Sequence, residues 1–525
     1  MKKVFCYVFM CMVFLVGSVA SDADAATVTG IVFEDLNGNQ QLDEGEKGIP
    51  DILVSNQLDI VKTDASGRYE ISLPDEEAVL FVIKPPHYAL PVNEDNLPQF
   101  YYIHQPEGSP QFSYKGVEPT GDLPEEIHFA LLPTKLTNSF DVLVFSDPQP
   151  RSKEEIDYVR DDVISELIDT DMAFGITLGD IMFDNLSHYD YYNDIIAQIG
   201  IPFYNVPGNH DMNYDAPDDR HSLETYKSIF GPPYYAFEHG MVNFITLDSV
   251  NWFGKTEEKR GYYIGKLGDR QLEWIANYLK HIPEDHLIVF TMHIPLYFSQ
   301  ESGDSVNITD REKLFDLLKG RKHLLALAGH MHKFEQVNMD ETIGRTDSTP
   351  FPMITCAAVC GSWWSGPKDE RGIPATVQAD GTPNGYHIFS FRGNRFSQTF
   401  KPANFDITHQ LRITSPRGTI AQSDSSDTQI IVNVFNGNDQ SLVEYQIDDR
   451  QPVRMQQTSM IDPFVIKYHE QYDELIPGFV SPAKTNHIWT AELPGDLSRG
   501  IHTITIRTID AYGKEYQQSQ IFVIE

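Results

Sequence analysis

The sequence predicts an α/β domain flanked on each side by a small β-sandwich. Three observations predict it. Strand-like apolar runs alternate with helix-patterned runs in the middle of the chain. Both ends carry short alternating runs with turn signals and no helical period. The texture changes near Pro133 and again near Pro402. The expected divisions are 1–25, a targeting signal; 26–133, an N-terminal β-sandwich; 134–401, the α/β domain; and 402–525, a C-terminal β-sandwich.

At 525 residues the chain has room for about three or four domains of ~150 residues each. Its 41% hydrophobic content supports a sizeable core and excludes wholesale disorder. Asp plus Glu number 76 against 40 Lys plus Arg, a formal charge of −36 with a pI of about 4.7. Nucleic-acid binding is therefore not expected, because phosphate backbones are held by Lys and Arg. Anionic membrane surfaces should repel the chain. Small anionic substrates stay open, since a bound metal reverses the local field.

Lys2 and Lys3 precede an apolar stretch, Val4 to Val16, and then Ser18-Val19-Ala20 and Ala23-Asp24-Ala25, two candidate cleavage sites. The expectation is an exported protein of a bacterium, periplasmic or at the cell surface, with no transmembrane segment once the signal is removed. The alternative is an uncleaved anchor helix, for which the stretch is short against a span of ~20 residues. Cys6 and Cys11 fall in this segment. Cys356 and Cys360 remain, too few for a disulfide framework. Met353 to Gly361 reads as an apolar strand, which would hold these two thiols ~13 Å apart as buried small hydrophobes rather than a bridge.

The N-terminal region has strand-like runs at Val28–Phe33, Ile52–Ser55, Tyr69–Leu73 and Val79–Ile83. In the middle, Asp141–Ser146 reads as a strand. Ser152 with Glu155 forms a capping-box pattern, followed by Ile156, Val159, Val163 and Leu167 at helical spacing. Ala173–Leu178, Phe203–Val206, Leu287–Met292 and Leu324–Ala328 read as further strands. Helices are expected at Gln271–Ile282 and at Thr309–Leu318, the latter capped by Thr309 and Glu312 and stopped by Gly320. Gln429–Val434, Leu442–Ile447 and His502–Ile509 read as strands of the last region. No internal repeat stands out.

The chemistry-bearing residues follow the middle strands. Asp147-Pro148-Gln149 ends the first and Gly179-Asp180, continuing to Asp184, ends the second. Gly208-Asn209-His210-Asp211 follows Phe203–Val206, His293 follows Leu287–Met292, and Gly329-His330-Met331-His332 follows Leu324–Ala328. Ligands of open α/β sheets bind beyond the carboxyl ends of strands. A set of Asp, Asn and His offers oxygen and nitrogen donors only. That suits two divalent ions such as Mn, Fe or Zn and lacks the thiolates of a structural zinc site.

These blocks, with Gly231-Pro232-Pro233-Tyr234-Tyr235 and Gln271-Leu272-x-Trp274, resemble the calcineurin-like metallophosphoesterase superfamily over about 138–402. The layout resembles its bacterial exported subgroup with β domains on both sides. The resemblance implies a four-layer α/β/β/α sandwich and a metal-dependent phosphoric ester hydrolase. Asp180 would bridge two metals, with Asp147 and His332 at one and Asn209, His293 and His330 at the other. His210 would stabilise the transition state or protonate the leaving oxygen, oriented by Asp184. A bridging hydroxide would attack a phosphomonoester or phosphodiester. One position departs from the commonest pattern: the first block usually reads Asp-x-His, and the third residue here is Gln149. Its neutral oxygen ligates directly, ligates through water, or only hydrogen-bonds, and the change either weakens one metal or shifts preference toward Mn or Mg.

Trp363 and Trp364, between Gly361 and Gly366, are read either as a stacking surface for a base, sugar or lipid group of the substrate or as a hydrophobic plug between domains. Arg220 and His221 are read as a solvated loop rather than phosphate ligands. Asp35, Asn37, Asn39, Gln41, Asp43 and Glu46 have EF-hand-like calcium spacing, although Gln40 stands where such a loop has Gly. With Gly48-Ile49-Pro50 and Thr63-Asp64 through Tyr69, this segment resembles the B-type repeats of bacterial surface adhesins, which implies a calcium site. The alternative is an Asx-rich turn without metal. For the whole chain, the reading that competes with an enzyme is a non-catalytic surface binding module on a degenerate phosphoesterase scaffold. The partner expected is a small phosphorylated substrate. Oligomeric state is not legible.

Overall fold

The computed structural model describes residues 25–74, 77–255 and 260–525. The targeting signal expected over 1–25, with Cys6 and Cys11, falls almost wholly outside the described residues. Among the described residues no helix is long and apolar enough to cross a membrane.

The middle of the chain forms two facing sheets. One is five-stranded, in the order Phe203–Asn205, Phe174–Thr177, Ser139–Phe145, Gly385–Arg392, Arg395–Pro402. Its first three strands run parallel, and Gly385–Arg392 pairs antiparallel with Ser139–Phe145. The other is six-stranded: Tyr235–His239, Val242–Thr246, Leu287–Thr291, Leu324–Ala328, Pro352–Thr355, Glu335–Asn338. Its central strands are parallel and buried on both faces, which is why they read as continuous apolar runs rather than alternating ones. Aromatic side chains fill the space between the sheets. Phe174 meets Phe244 edge-on at 5.3 Å, and Phe244 meets Phe391 at 5.5 Å. Helices Lys153–Asp162 and Tyr189–Ile196 and, separately, Asp269–Leu279 and Arg311–Leu317 complete an α/β/β/α arrangement.

Both ends of the chain are β-rich. The N-terminal part pairs a sheet built on Ala25–Glu34 with one built on Ala78–Ile83. Its core is continuous with that of the middle domain. Trp274 is fully buried, donates from Nε1 to Ser55 Oγ at 3.0 Å, and meets Phe81 edge-on. The C-terminal part has two sheets around a core of its own, including Trp489 and Phe522.

Several local expectations are corrected. Glu155 does not close a capping box: Ser152 Oγ accepts from Glu155 N at 3.3 Å, but the Glu155 carboxylate accepts from Arg151 N instead. The first helix ends at Asp162 and tightens into a 3₁₀ turn over Ile164–Glu166, so Leu167 is not part of it. Thr309 does not cap the Arg311 helix, because its hydroxyl donates to Gly265 O. The neighbouring Asp310 carboxylate accepts from Leu267 N and Gly268 N. Met353 to Gly361 is not one strand. Pairing stops at Thr355, and the chain then turns across the end of the first strand, with Val359 N donating to Ser146 O. Both cysteines are nonetheless buried and free. The C-terminal region also contains a helix, Pro463–Tyr472, capped by the Asp462 carboxylate with Pro at its first position.

Candidate metal centre

The carboxyl ends of the parallel strands converge on one buried cluster. Three glycines allow this packing. A Cβ on Gly179 would stand 2.7 Å from Nδ1 of His293, and one on Gly329 would stand 2.6 Å from Oδ2 of Asp147. A Cβ on Gly208 would collide with Asp180. The residues that point inward hold unusual backbone. Asp147, Gln149, Asp180, Asp184, His330 and His332 all have φ between +46° and +73°. For residues with a side chain this region costs on the order of 1–3 kcal/mol each and persists only where the surroundings impose it.

Backbone carbonyls fix which nitrogen of each histidine faces the cluster. His293 Nδ1 donates to Leu178 O at 2.8 Å, leaving Nε2 3.2 Å from Asp180 Oδ1 and 3.1 Å from Asn209 Oδ1. His330 Nε2 donates to Ser305 O at 2.9 Å, leaving Nδ1 3.2 Å from His293 Nε2. His332 Nδ1 donates to Gly361 O at 2.7 Å, leaving Nε2 3.6 Å from Asp147 Oδ1. Such carbonyl partners orient metal-ligating imidazoles and raise their basicity. The ligand atoms of Asp180, His293 and His330 all lie within 4.8 Å of one another.

Electrostatics fit cations. Burial pushes the Asp147 carboxyl up, and the nearby imidazoles of His332 and His293 offset this only in part. Burial pushes Asp180 up too, but His293, His210 and His330 more than reverse it and hold the group anionic. Burial lowers His330 to about 3 and also lowers His332, so both are neutral donors at physiological pH. His293 is pushed up to about 9 by Asp180 in spite of burial. With a cation held between them, His293 would give up that proton and offer Nε2 as a neutral donor.

Gln149 donates from Nε2 to Asp180 Oδ2 at 2.9 Å. Its Oε1 is buried without a hydrogen-bond partner. A buried orphan acceptor is costly, and an oxygen in this position fits a cation. The donor set as a whole therefore fits divalent metal.

His210 borders the cluster. Its backbone N donates to Asp180 Oδ1 at 2.8 Å, its Nδ1 lies 2.5 Å from Asp184 Oδ1, and its ring stacks on Phe183 at 4.5 Å. Burial alone lowers the imidazole, but Asp180 and Asp184 turn the shift upward. A cleft of about 1010 Å³ opens beside it.

Residues 140–334 match the family described as calcineurin-like phosphoesterase. Residues 35–116 and 354–516 match the families described as its N terminal and C terminal. The chain belongs to the calcineurin-like phosphoesterases. It is accordingly a phosphoric ester hydrolase that uses divalent metal. Among curated proteins it is 26% identical over 223 residues to a probable glycerophosphodiester phosphodiesterase of Arcobacter nitrofigilis, covering 40% of this chain and 78% of that one. It is 29% identical over 139 residues to a probable cyclic nucleotide phosphodiesterase of Rhodococcus erythropolis, covering 26% of this chain and 42% of the relative. Similar solved structures include a dimetal phosphatase from Danio rerio, 16% identical with a TM-score of 0.33, covering 50% of this chain and 99% of that one. Another is the purple acid phosphatase PPD1 from yellow lupin seeds, 13% identical with a TM-score of 0.37, covering 68% and 69%.

The remaining residues singled out in this calcineurin-like phosphoesterase lie apart from the cluster or at its edge. Trp364 is buried, donates from Nε1 to Pro148 O at 2.9 Å, and packs on Tyr158. Trp363 stacks on His332 at 3.9 Å, and Phe479 of the C-terminal part meets it edge-on at 4.9 Å. Arg220 and His221 contact Glu77 and, for His221, Asp218. In the Asp35 loop the carboxylates engage the chain itself. Asp35 accepts from Gly38 N and Gln40 N, Glu46 from Leu36 N and Asp43 N, and Asp43 from the amides of Asn37 and Asn39. Asp211, quoted in its block but given no role by sequence, is a buried brace. Its carboxylate accepts from Gly208 N, Ile181 N and the Tyr189 hydroxyl.

Proposed function

We propose that this phosphoric ester hydrolase works through a dinuclear centre in which Asp180 bridges two ions. Asp147, Gln149 and His332 hold one ion, and Asn209, His293 and His330 hold the other. Bound there, two divalent ions supply a nucleophilic hydroxide at neutral pH and neutralise the phosphoryl oxygens. The observation that carries this reading is the convergence of carbonyl-fixed imidazole nitrogens and carboxylate oxygens on one buried point. Asp184 holds the proton of His210 Nδ1, so Nε2 is the nitrogen that protonates the departing oxygen. Neutral oxygen from Gln149 favours harder ions, Mn or Mg, over a site of imidazoles alone, with Fe and Zn as alternatives. The two curated relatives are named as diesterases, which supports a phosphodiester substrate over a monoester. We further hold that the protein is exported and acts on a small phosphorylated molecule rather than on nucleic acid.

Hydrolysis of p-nitrophenyl phosphate and bis-p-nitrophenyl phosphate, with each metal supplied in turn and Asn209→Ala alongside, tests the reading. Loss of turnover and of one metal equivalent in the variant is expected. Full turnover in Asn209→Ala, or none in the metal-loaded wild type, overturns it.

A further inference from the structure

The cleft beside His210 is built by both the middle domain and the N-terminal domain. We propose that it is the leaving-group pocket, that it selects esters whose leaving alcohol carries a planar ring, and that Tyr114 of the N-terminal domain is a specificity-determining residue. The inference rests on the role given above to His210.

Position comes first. With Nδ1 of His210 engaged by Asp184, the leaving oxygen has to lie at Nε2. His210 and Asp184 are themselves part of the wall of the 1010 Å³ cleft. A group departing from phosphorus toward His210 therefore enters this space. Glycerol or ethanol would leave it almost empty, whereas it readily admits a nucleoside-sized alcohol.

The lining supplies the chemistry. Tyr114, Tyr214, Trp252 and Tyr263 all border the cleft. Tyr214 meets Trp252 edge-on at 5.5 Å and His210 at 6.5 Å, and Tyr263 meets His330 at 6.2 Å. Rings of this kind, with hydroxyls at their tips, favour a flat partner with polar edges.

Tyr114 is held there by built contacts. Ser113 donates from N and Oγ to Asp215 Oδ2 at 2.7 and 2.9 Å. Further back, Gln105 Nε2 donates to Glu224 Oε2 at 2.9 Å, and Ser109 Oγ donates to the same oxygen. Glu224 is fully buried at the start of helix Glu224–Phe230. The segment from Gln105 to Tyr114 is thus strapped onto the middle domain on both sides of its turn. A domain needed only for stability has no reason to send an aromatic residue to the rim of the catalytic cleft.

The experiment compares wild type, Tyr114→Ala, Tyr114→Leu and Tyr114→Phe as full-length, metal-loaded proteins. Each is assayed on a phenyl and an ethyl ester, of phosphate or of methyl phosphate according to which class the wild type turns over. In Tyr114→Ala and Tyr114→Leu, kcat/KM on the phenyl ester is expected to fall on the order of tenfold, mainly through KM, as one ring contact is lost. On the ethyl ester it should change less than twofold, and Tyr114→Phe should retain the preference. Equal losses on both esters, or no loss on either, overturn the proposal. If the wild type hydrolyses neither ester, the proposed function fails, and calorimetric titration with adenosine then decides the pocket. Saturable binding that Tyr114→Leu abolishes supports it, and absent or Tyr114-independent binding sinks it.

Discussion

Nδ1 of His210 lies 2.5 Å from Oδ1 of Asp184 while the same ring stacks on Phe183. The imidazole is therefore fixed in tautomer by one residue and in plane by its neighbour. If it acts as a general acid, His210→Ala should lower kcat by about 10² to 10⁴ with metal content unchanged. The loss should be larger for an alkyl leaving group than for p-nitrophenolate, which departs without a proton. Asp184→Asn should cost less and move the basic limb of the pH–rate profile downward, since the carboxylate helps to keep His210 protonated. A variant with normal turnover of alkyl esters would rule out the acid role.

Gln149 donates to the Asp180 carboxylate, yet leaves its own oxygen without a partner. Gln149→Ala should weaken one of the two metals by about tenfold or more, within the range seen when a supporting group of a metal site is removed. Gln149→His should tighten that same metal and shift selectivity away from Mg. Metal analysis after dialysis against graded chelator reads both effects. Identical retention in the three proteins would show that Gln149 only orients Asp180.

The blocks of the candidate centre were legible because each lies just beyond an apolar run and three of the five begin with glycine. Gly179, Gly208 and Gly329 sit where a Cβ would meet a ligand, so the glycines beside Asp180, Asn209 and His330 carried real spatial information. The partners that orient the imidazoles were not legible. Leu178, Ser305 and Gly361 act through carbonyls, which every residue has. Met353–Gly361 misled for a different reason: complete burial makes a turn as apolar as a strand, and burial here comes from crossing the end of another strand. The helix at Pro463 was missed because proline reads as a breaker, although after Asp462 it marks a helix start. The contribution of Tyr114 to the cleft depends on how two domains meet, and no local pattern encodes that.

Asp380 ties the middle domain to the C-terminal one. Its buried carboxylate accepts from Phe334 N at 2.8 Å, from Thr382 N at 2.8 Å and from His487 Nε2 at 3.1 Å. Burial pushes the group up, but His487 and these amides more than reverse the shift. A carboxyl depressed in the folded state stabilises above the ordinary aspartate value. That contribution is lost as pH falls through the lower folded value, so the interface should loosen only in strong acid. Asp380→Ala at neutral pH leaves the buried donors unpaired and should cost about 3–5 kcal/mol. A calorimetric scan should then show the C-terminal domain melting apart from the rest. A single unshifted transition would contradict this.

The last prediction concerns how the C-terminal domain reaches the site. Trp363 covers His332, and Phe479, 65% exposed, closes on the edge of Trp363. Edge-on aromatic pairs contribute about 0.5–1.5 kcal/mol beyond burial, so Phe479→Ala should free Trp363 without unfolding the domain. Because His332 is held by Gly361 O and is already 3.6 Å from Asp147, metal affinity should survive this change. What should suffer is the separate pocket beside the cluster that Trp363 lines with Arg151, Ser152 and Leu475. Phe479→Ala is expected to raise KM several-fold at constant metal content, and Trp363→Ala to do the same while also weakening the ion at His332. If deletion of 406–525 yields a folded enzyme with unchanged KM and metal content, the C-terminal domain takes no part in substrate binding and Trp363 acts only as packing.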